Sequence, residues 1–214
     1  MTDTQKKPLW KNELVWLFLL TSGLFAILYS KFILGGYAYV FTDTGADTMQ
    51  INYAQYGLFS SLFRSGESGY VLQAGLGMDV SSYYPAYLIP YNLLILLAPQ
   101  RLLPWAVLAS AYLKMITISL VGYLFYRKLM QDGIGTMAAA LAWTFSGYVI
   151  LWGQHYGFCT CMALFTVFMY FLQCYLNGEQ RWKSAGLVLT VTMLLISSYY
   201  FLYMIAFFAV FYVF

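Results

Sequence analysis

Apolar residues run along this chain in long blocks rather than in alternation. The blocks cover residues 14–34, 84–98, 104–126, 134–152, 158–176 and 184–214. A helix needs about 20 apolar residues to cross the hydrocarbon core, and all but one of these blocks approach or exceed that length. The exception, 84–98, is short and carries Pro85 and Pro90, which weaken a continuous helix. Whether it crosses is decided by where the basic residues fall, because cytoplasmic loops collect Lys and Arg. If it crosses, Arg127, Lys128, Arg181 and Lys183 all lie outside. If it rests on the outer surface, those residues join Lys6, Lys7 and Lys11 inside and leave only Arg64 and Arg101 outside. The second arrangement is the stronger.

The pattern therefore predicts an all-α membrane protein with about five transmembrane helices in this portion and two interfacial helices in the first outer loop. Residues 1–13 form a cytoplasmic tail. The spans are 14–34, 104–126, 134–152, 158–176 and 184–214, the last expected as a single, truncated span. At 31 residues it is long for one crossing, and Ser197-Ser198-Tyr199-Tyr200 marks where it tilts or breaks. Between the first two spans, 35–103 lies outside the cytoplasm. Within it, 48–63 places Ile51, Ala54, Leu58 and Leu62 on one helical stripe, an interfacial pattern. Asp47 is positioned to cap that helix. The second surface helix is 84–98, and the Gly- and Ser-rich stretch 64–82 between them reads as a loop.

Composition agrees. The 214 residues are 62% hydrophobic and 9% charged, far from a soluble domain. Net charge is only +3 and no basic stripe exists, which excludes nucleic-acid binding. Lys6, Lys7 and Lys11 precede a first block too long for a signal-peptide core, so it reads as a retained anchor with a cytoplasmic N-terminus. The final apolar stretch has no polar cap, and the sequence reads as the front portion of a longer protein. Cys159, Cys161 and Cys174 lie in apolar surroundings. Even with His155 nearby they fall short of a zinc ligand set and read as buried small hydrophobes, so no metal site is expected.

With charge so scarce, the charged residues that remain carry the candidate chemistry. Asp43 and Asp47, in Phe41-Thr42-Asp43-Thr44-Gly45-Ala46-Asp47, follow the first span directly. A carboxylate at the outer surface can take a proton from an acceptor hydroxyl or hold a divalent cation. The plainer alternative is a solvated loop acid at 43 and a helix cap at 47. Lys114 lies about 15 Å into its span, where an unpaired ammonium costs at least about 2.5 kcal/mol. It either pairs with a lipid phosphate or forms an ion pair within the protein. Gln154 and His155 occupy a short outer turn and can meet a phosphate or sugar hydroxyl, or simply belong to an interfacial belt with Trp152 and Tyr156. Arg101 and Arg64 face the same side, as phosphate contacts or interfacial anchors. Most of the 21 tyrosines are belt or span residues; Tyr83, Tyr84 and Tyr87, around Pro85, stand beside the candidate acids.

Asp43, Gln50, Gln55-Tyr56, Gly75-Leu76-Gly77, Tyr83-Tyr84-Pro85 and Pro90 together resemble the start of the bacterial YfhO-like membrane proteins. Leu113-Lys114 and Phe145-Ser146-Gly147-Tyr148 continue the pattern. That family looks like part of the GT-C group of integral-membrane glycosyltransferases. The resemblance implies transfer of a sugar from a polyprenyl-phosphate carrier to a cell-envelope glycan such as teichoic or lipoteichoic acid, on the outer face of the bacterial cell membrane. Asp43 would be the catalytic carboxylate and Asp47 the second candidate, with Lys114, Arg101, His155, Gln154 and Tyr84 toward the substrate. GT-C enzymes often carry adjacent acids or Asp-x-Asp; here the spacing is four, which leaves both the base and any divalent-cation requirement open. A lipid-linked substrate transporter or flippase, and a non-catalytic membrane scaffold, are the competing expectations.

Overall fold

The computed structural model describes residues 12–41, 47–67, 69–72, 77–81, 86, 88–130, 132–179 and 181–214. Among these the protein is all-α apart from one antiparallel ribbon, β1 (Tyr70–Val71) paired with β2 (Met78–Asp79). Three helical stretches are long and apolar enough to cross a membrane: Gln100–Leu129, Gly133–Gln154 and Tyr156–Leu176. Shorter apolar helices lie at both ends of the chain.

Asn12 opens α1 (Glu13–Leu28) by accepting the Leu14 N–H at 3.0 Å. The first apolar block is not one straight helix. It kinks at Tyr29, whose ring stacks on Phe25 at 4.3 Å, before α2 (Ser30–Leu34) continues. Helix α1 lies antiparallel to the central helix α5 (Leu103–Leu129). Thr21 and Ser119 share a buried hydrogen bond of 2.7 Å, Ser22 and Tyr112 another of 2.7 Å, and Tyr123 donates to Glu13. Such pairings satisfy hydroxyls that lipid cannot.

The segment between α2 and α5 does not keep one regular helical period. Thr48–Tyr53 is a π-helical turn, followed by α3 (Ala54–Ser65). A π turn adds a residue to the ladder, and so turns the following stripe away from Ile51 and Ala54, which are exposed. The inward face is instead Tyr56, Phe59, Ser60 and Leu62. The second surface helix is also shorter than 84–98: α4 spans Pro90–Leu97, with Pro90 in its first turn, where its missing N–H costs nothing. Eight residues rise about 12 Å, less than half the hydrocarbon thickness. Ser60 donates to the Ala98 carbonyl at 2.6 Å, fastening α3 to the end of α4.

The block 134–152 is broken in the middle. Helix α6 (Gly133–Thr144) is capped by Asp132, and the chain turns at Phe145-Ser146 into α7 (Gly147–Leu151). A short 3-10 turn, Trp152–Gln154, leads into α8 (Tyr156–Leu176). The block 184–214 is two helices, not one span. Helix α9 (Arg181–Ser197) ends at Ser198, whose backbone is extended (φ −169°, ψ 109°) and whose hydroxyl accepts from the Phe201 N–H at 3.5 Å. From there α10 (Tyr199–Val213) returns along α8: Phe201 meets Phe158 at 5.0 Å, Phe208 meets Phe165 at 5.6 Å, and Tyr212 donates to Gln173 at 2.5 Å. The paired serines supply the cap that an unbroken apolar helix would lack.

At one end of the bundle Glu179 bridges Lys128 of α5 and Lys183 of α9. The opposite end, where α5 begins, is roofed by α3 and α4 and filled by a cluster of aromatic rings.

Candidate outer cavity

Below α3 and α4 is a cavity of about 230 Å³, lined among the described residues by Asn52, Gln55, Tyr56, Ala86, Ile89, Asn92, Gly157, Thr160 and Ser197. Four parts of the chain meet there: the π turn with α3, the approach to α4, the first turn of α8 and the last turn of α9. Tyr56 anchors the assembly. Its ring stacks on Tyr156 at 5.4 Å and 10°, and its hydroxyl donates to Asn92 Oδ1 at 3.4 Å. Asn92 in turn donates to the Ala86 carbonyl at 3.1 Å. Tyr156 donates to the Tyr39 carbonyl, and Tyr39 packs edge-on against Tyr29 at 5.3 Å. The aromatic residues that follow α1 thus hold the start of α8.

Asp43 and Tyr84 lie outside the described residues. Asp47 heads the π turn that carries the cavity-lining Asn52. The capping role expected for it is not what the structure shows: its backbone is already helical (φ −56°, ψ −38°) and its side chain makes no cap hydrogen bond. An N-cap residue instead takes extended angles and accepts from the first turn. Asp47 contributes its backbone carbonyl, which accepts from Asn52 Nδ2 at 3.3 Å, and its carboxylate accepts from no described donor. The next residue, Thr48, donates to the Gln154 carbonyl at 3.3 Å. Asp47 and the 154–155 turn are thereby brought together. His155 is half-buried and stacks on Phe158 at 5.1 Å, with Trp152 at 5.5 Å.

Lys114 is 2% exposed, and its ammonium donates to the Tyr156 carbonyl at 3.1 Å. The same carbonyl accepts from Thr160 Oγ1 at 3.2 Å, so Lys114 stands directly behind the wall that Thr160 presents to the cavity. The expected ion pair within the protein is not found among the described residues. Ser110, one turn earlier on the same face of α5, is also buried, and its hydroxyl has no partner among the described residues. Arg101 is not gathered in. It is exposed on the 3-10 turn Gln100–Leu102, beside the middle of α3, where Gln100 donates to the Gly57 carbonyl at 2.5 Å. Arg64 sits at the far end of α3 and donates to the Ser60 carbonyl at 3.3 Å.

Among the described residues no three His, Cys, Asp or Glu side chains gather as a cation site. The cysteines are buried thiols on α8; Cys159 donates to the Val149 carbonyl at 3.6 Å. The residues missed in the sequence are the uncharged ones, Asn52, Gln55, Asn92, Thr160 and Ser197. The spacing of Asn52 and Gln55, three apart beside Asp47, was the one available signal.

No curated protein and no solved structure is similar enough to this chain to match it. The family model described as bacterial membrane protein YfhO matches residues 16–214, nearly the whole chain and all the helices that build the cavity. The chain belongs to the YfhO family of bacterial membrane proteins.

Proposed function

We propose that this chain is the front part of a GT-C-type membrane glycosyltransferase. In this reading it moves a sugar from a polyprenyl-phosphate carrier to a cell-envelope glycan such as teichoic or lipoteichoic acid, with the N-terminus in the cytoplasm. The orientation is supported by charge: Arg127, Lys128 and Lys183 share one end of the bundle, and Arg64 and Arg101 lie at the other. The cavity is then on the outer face.

The observation that carries the reading is the Asp47 carboxylate, which accepts from no described donor and heads the π turn whose Asn52 lines the cavity. Such turns recur at functional sites, since a regular helix would place its residues more cheaply. Asp43 or Asp47 takes the proton of the acceptor hydroxyl as its oxygen attacks the anomeric carbon. The bond from that carbon to the carrier phosphate breaks, and the phosphate leaves with its charge offset by Lys114. His155, Gln154 and Tyr84 stand on the substrate side in this scheme, and Arg101 meets lipid phosphate at the surface.

The test is genetic and chemical. Cells deleted for the gene should lose a sugar from a surface glycan, and the full-length protein should restore it. Asp43→Asn and Asp47→Asn proteins should each be made and inserted normally; loss of about 10²-fold or more in transfer by at least one of them fits a general base. Normal transfer by both would end the assignment. A lipid-linked substrate transporter is the second reading, favoured by the breaks at Ser146 and Ser198, because interrupted helices mark transporter sites. It predicts movement of a labelled lipid across vesicles without any change in glycan composition.

A further inference from the structure

We infer that the outer cavity binds an uncharged, polyhydroxylated ring and rejects a ring bearing a carboxylate. This deepens the transferase reading and rests on it only for calling the ring the transferred sugar.

The argument lies in where the donors of the wall already point. Ser197 gives its only hydroxyl proton to the Met193 carbonyl at 2.8 Å, and Thr160 gives its own to the Tyr156 carbonyl at 3.2 Å. These are the usual back-bonds of hydroxyl side chains on helices. Both oxygens therefore meet the cavity as acceptors. Asn52 spends one amide proton on Asp47, and Asn92 is held by Tyr56 and Ala86. Each amide keeps one N–H and has acceptor capacity left.

Among the described lining residues no side chain is charged. An acceptor-rich wall of this kind pairs with a ligand whose groups both donate and accept, which is the property of a ring hydroxyl. A carboxylate brings acceptors only. The one N–H left on each of Asn52 and Asn92 can meet part of it, but Ser197 and Thr160 still present it with lone pairs unless a helix back-bond breaks. The cavity, at about 230 Å³, falls below the usual range for drug-sized ligands and suits a single ring. Lys114 stands behind Thr160 and leaves the anionic end of a substrate to that side.

Saturation-transfer NMR on the full chain in lipid nanodiscs reads this directly, with a methyl hexopyranoside and its methyl hexuronate as probes. The hexoside should show transfer and the hexuronate about tenfold less. Asn52→Leu should weaken the hexoside about two- to tenfold, as for one lost neutral hydrogen bond. A failure of that variant to fold is covered by Gly157→Val. A side chain at Gly157 grows into open space, with nothing within 4 Å of its Cβ, so it fills the cavity and leaves the polar wall intact. It should abolish the signal. Equal transfer to hexuronate, or hexoside transfer that survives Gly157→Val, overturns the inference. The measurement needs no turnover. Hexoside binding without any change in surface glycan on gene deletion would refute the transferase and leave the neutral-ring site standing.

Discussion

Lys114 has one carbonyl to donate to and, among the described residues, no carboxylate to pair with. A buried unpaired ammonium is a liability, and replacing a buried charge with an apolar residue of similar volume often leaves stability unchanged or raises it by about 1–4 kcal/mol. Lys114→Met should therefore keep or raise the thermal midpoint of the purified protein. If the ammonium offsets a leaving phosphate, glycan transfer should fall at least tenfold in the same variant, about 1.4 kcal/mol of lost transition-state stabilisation. A purely structural lysine would show neither the loss nor the split. Lys114 was legible in the sequence because a cation deep inside an apolar block breaks the pattern. Asn52, Asn92 and Ser197 were not, since single amides and hydroxyls are ordinary on surface helices and only the folded chain brings them to one cavity.

At the opposite end, Lys128 and Lys183 hold the Glu179 carboxyl down to about 2, from an ordinary value of 4.5. A carboxyl depressed in the folded state stabilises fully above its unfolded pKa and loses that contribution as the pH falls through the folded one. The bridge should thus be constant above about pH 5 and vanish between about 4.5 and about 2. Acid titration of the melting temperature should show a shoulder in that window, and Glu179→Gln should remove it.

Among the elements, the π turn Thr48–Tyr53 decides most. Periodicity alone put Ile51, Ala54, Leu58 and Leu62 on one interfacial stripe, and it did not show that the face buried against the bundle is Tyr56, Phe59, Ser60 and Leu62. Sequence patterns assume a fixed period, so a single extra residue escapes them. Deleting exposed Met49 should restore an ordinary α ladder and rotate Asp47 by about 100° relative to α3. The protein should still insert, with α3 seated on Ala98, while transfer is lost; retained transfer would show that the turn has no role. The break at Ser198 was legible, because Ser197-Ser198-Tyr199-Tyr200 interrupts the apolar block, whereas the break at Ser146 was not. Ser146 has no proline beside it and looks no different from a serine back-bonded inside a helix.

For the whole molecule, hydropathy disclosed the all-α membrane class and the three helical stretches long and apolar enough to cross, because lipid leaves few alternatives. The last block, expected as one span that tilts or breaks at Ser197-Ser198-Tyr199-Tyr200, is two helices divided there. Its two helices predict distinct labelling by a membrane-impermeant maleimide in intact cells. In the proposed orientation, cysteines at Leu102 and Tyr199, both exposed at the cavity end, should react; one at Ile134 should react only after permeabilisation. A single tilted span would bury position 199 in lipid and protect it.

The hydroxyl of Thr48 reaches the carbonyl of Gln154 across 106 residues. A ribosome releases the earlier partner long before the later one exists. The surface turn must therefore wait on the bilayer until the 152–154 turn emerges beside it, and only then does the pocket acquire its roof. Translation order makes this pocket the last feature of the region to close, so a chain stalled partway through insertion carries its acidic rim but no enclosed place for a ligand.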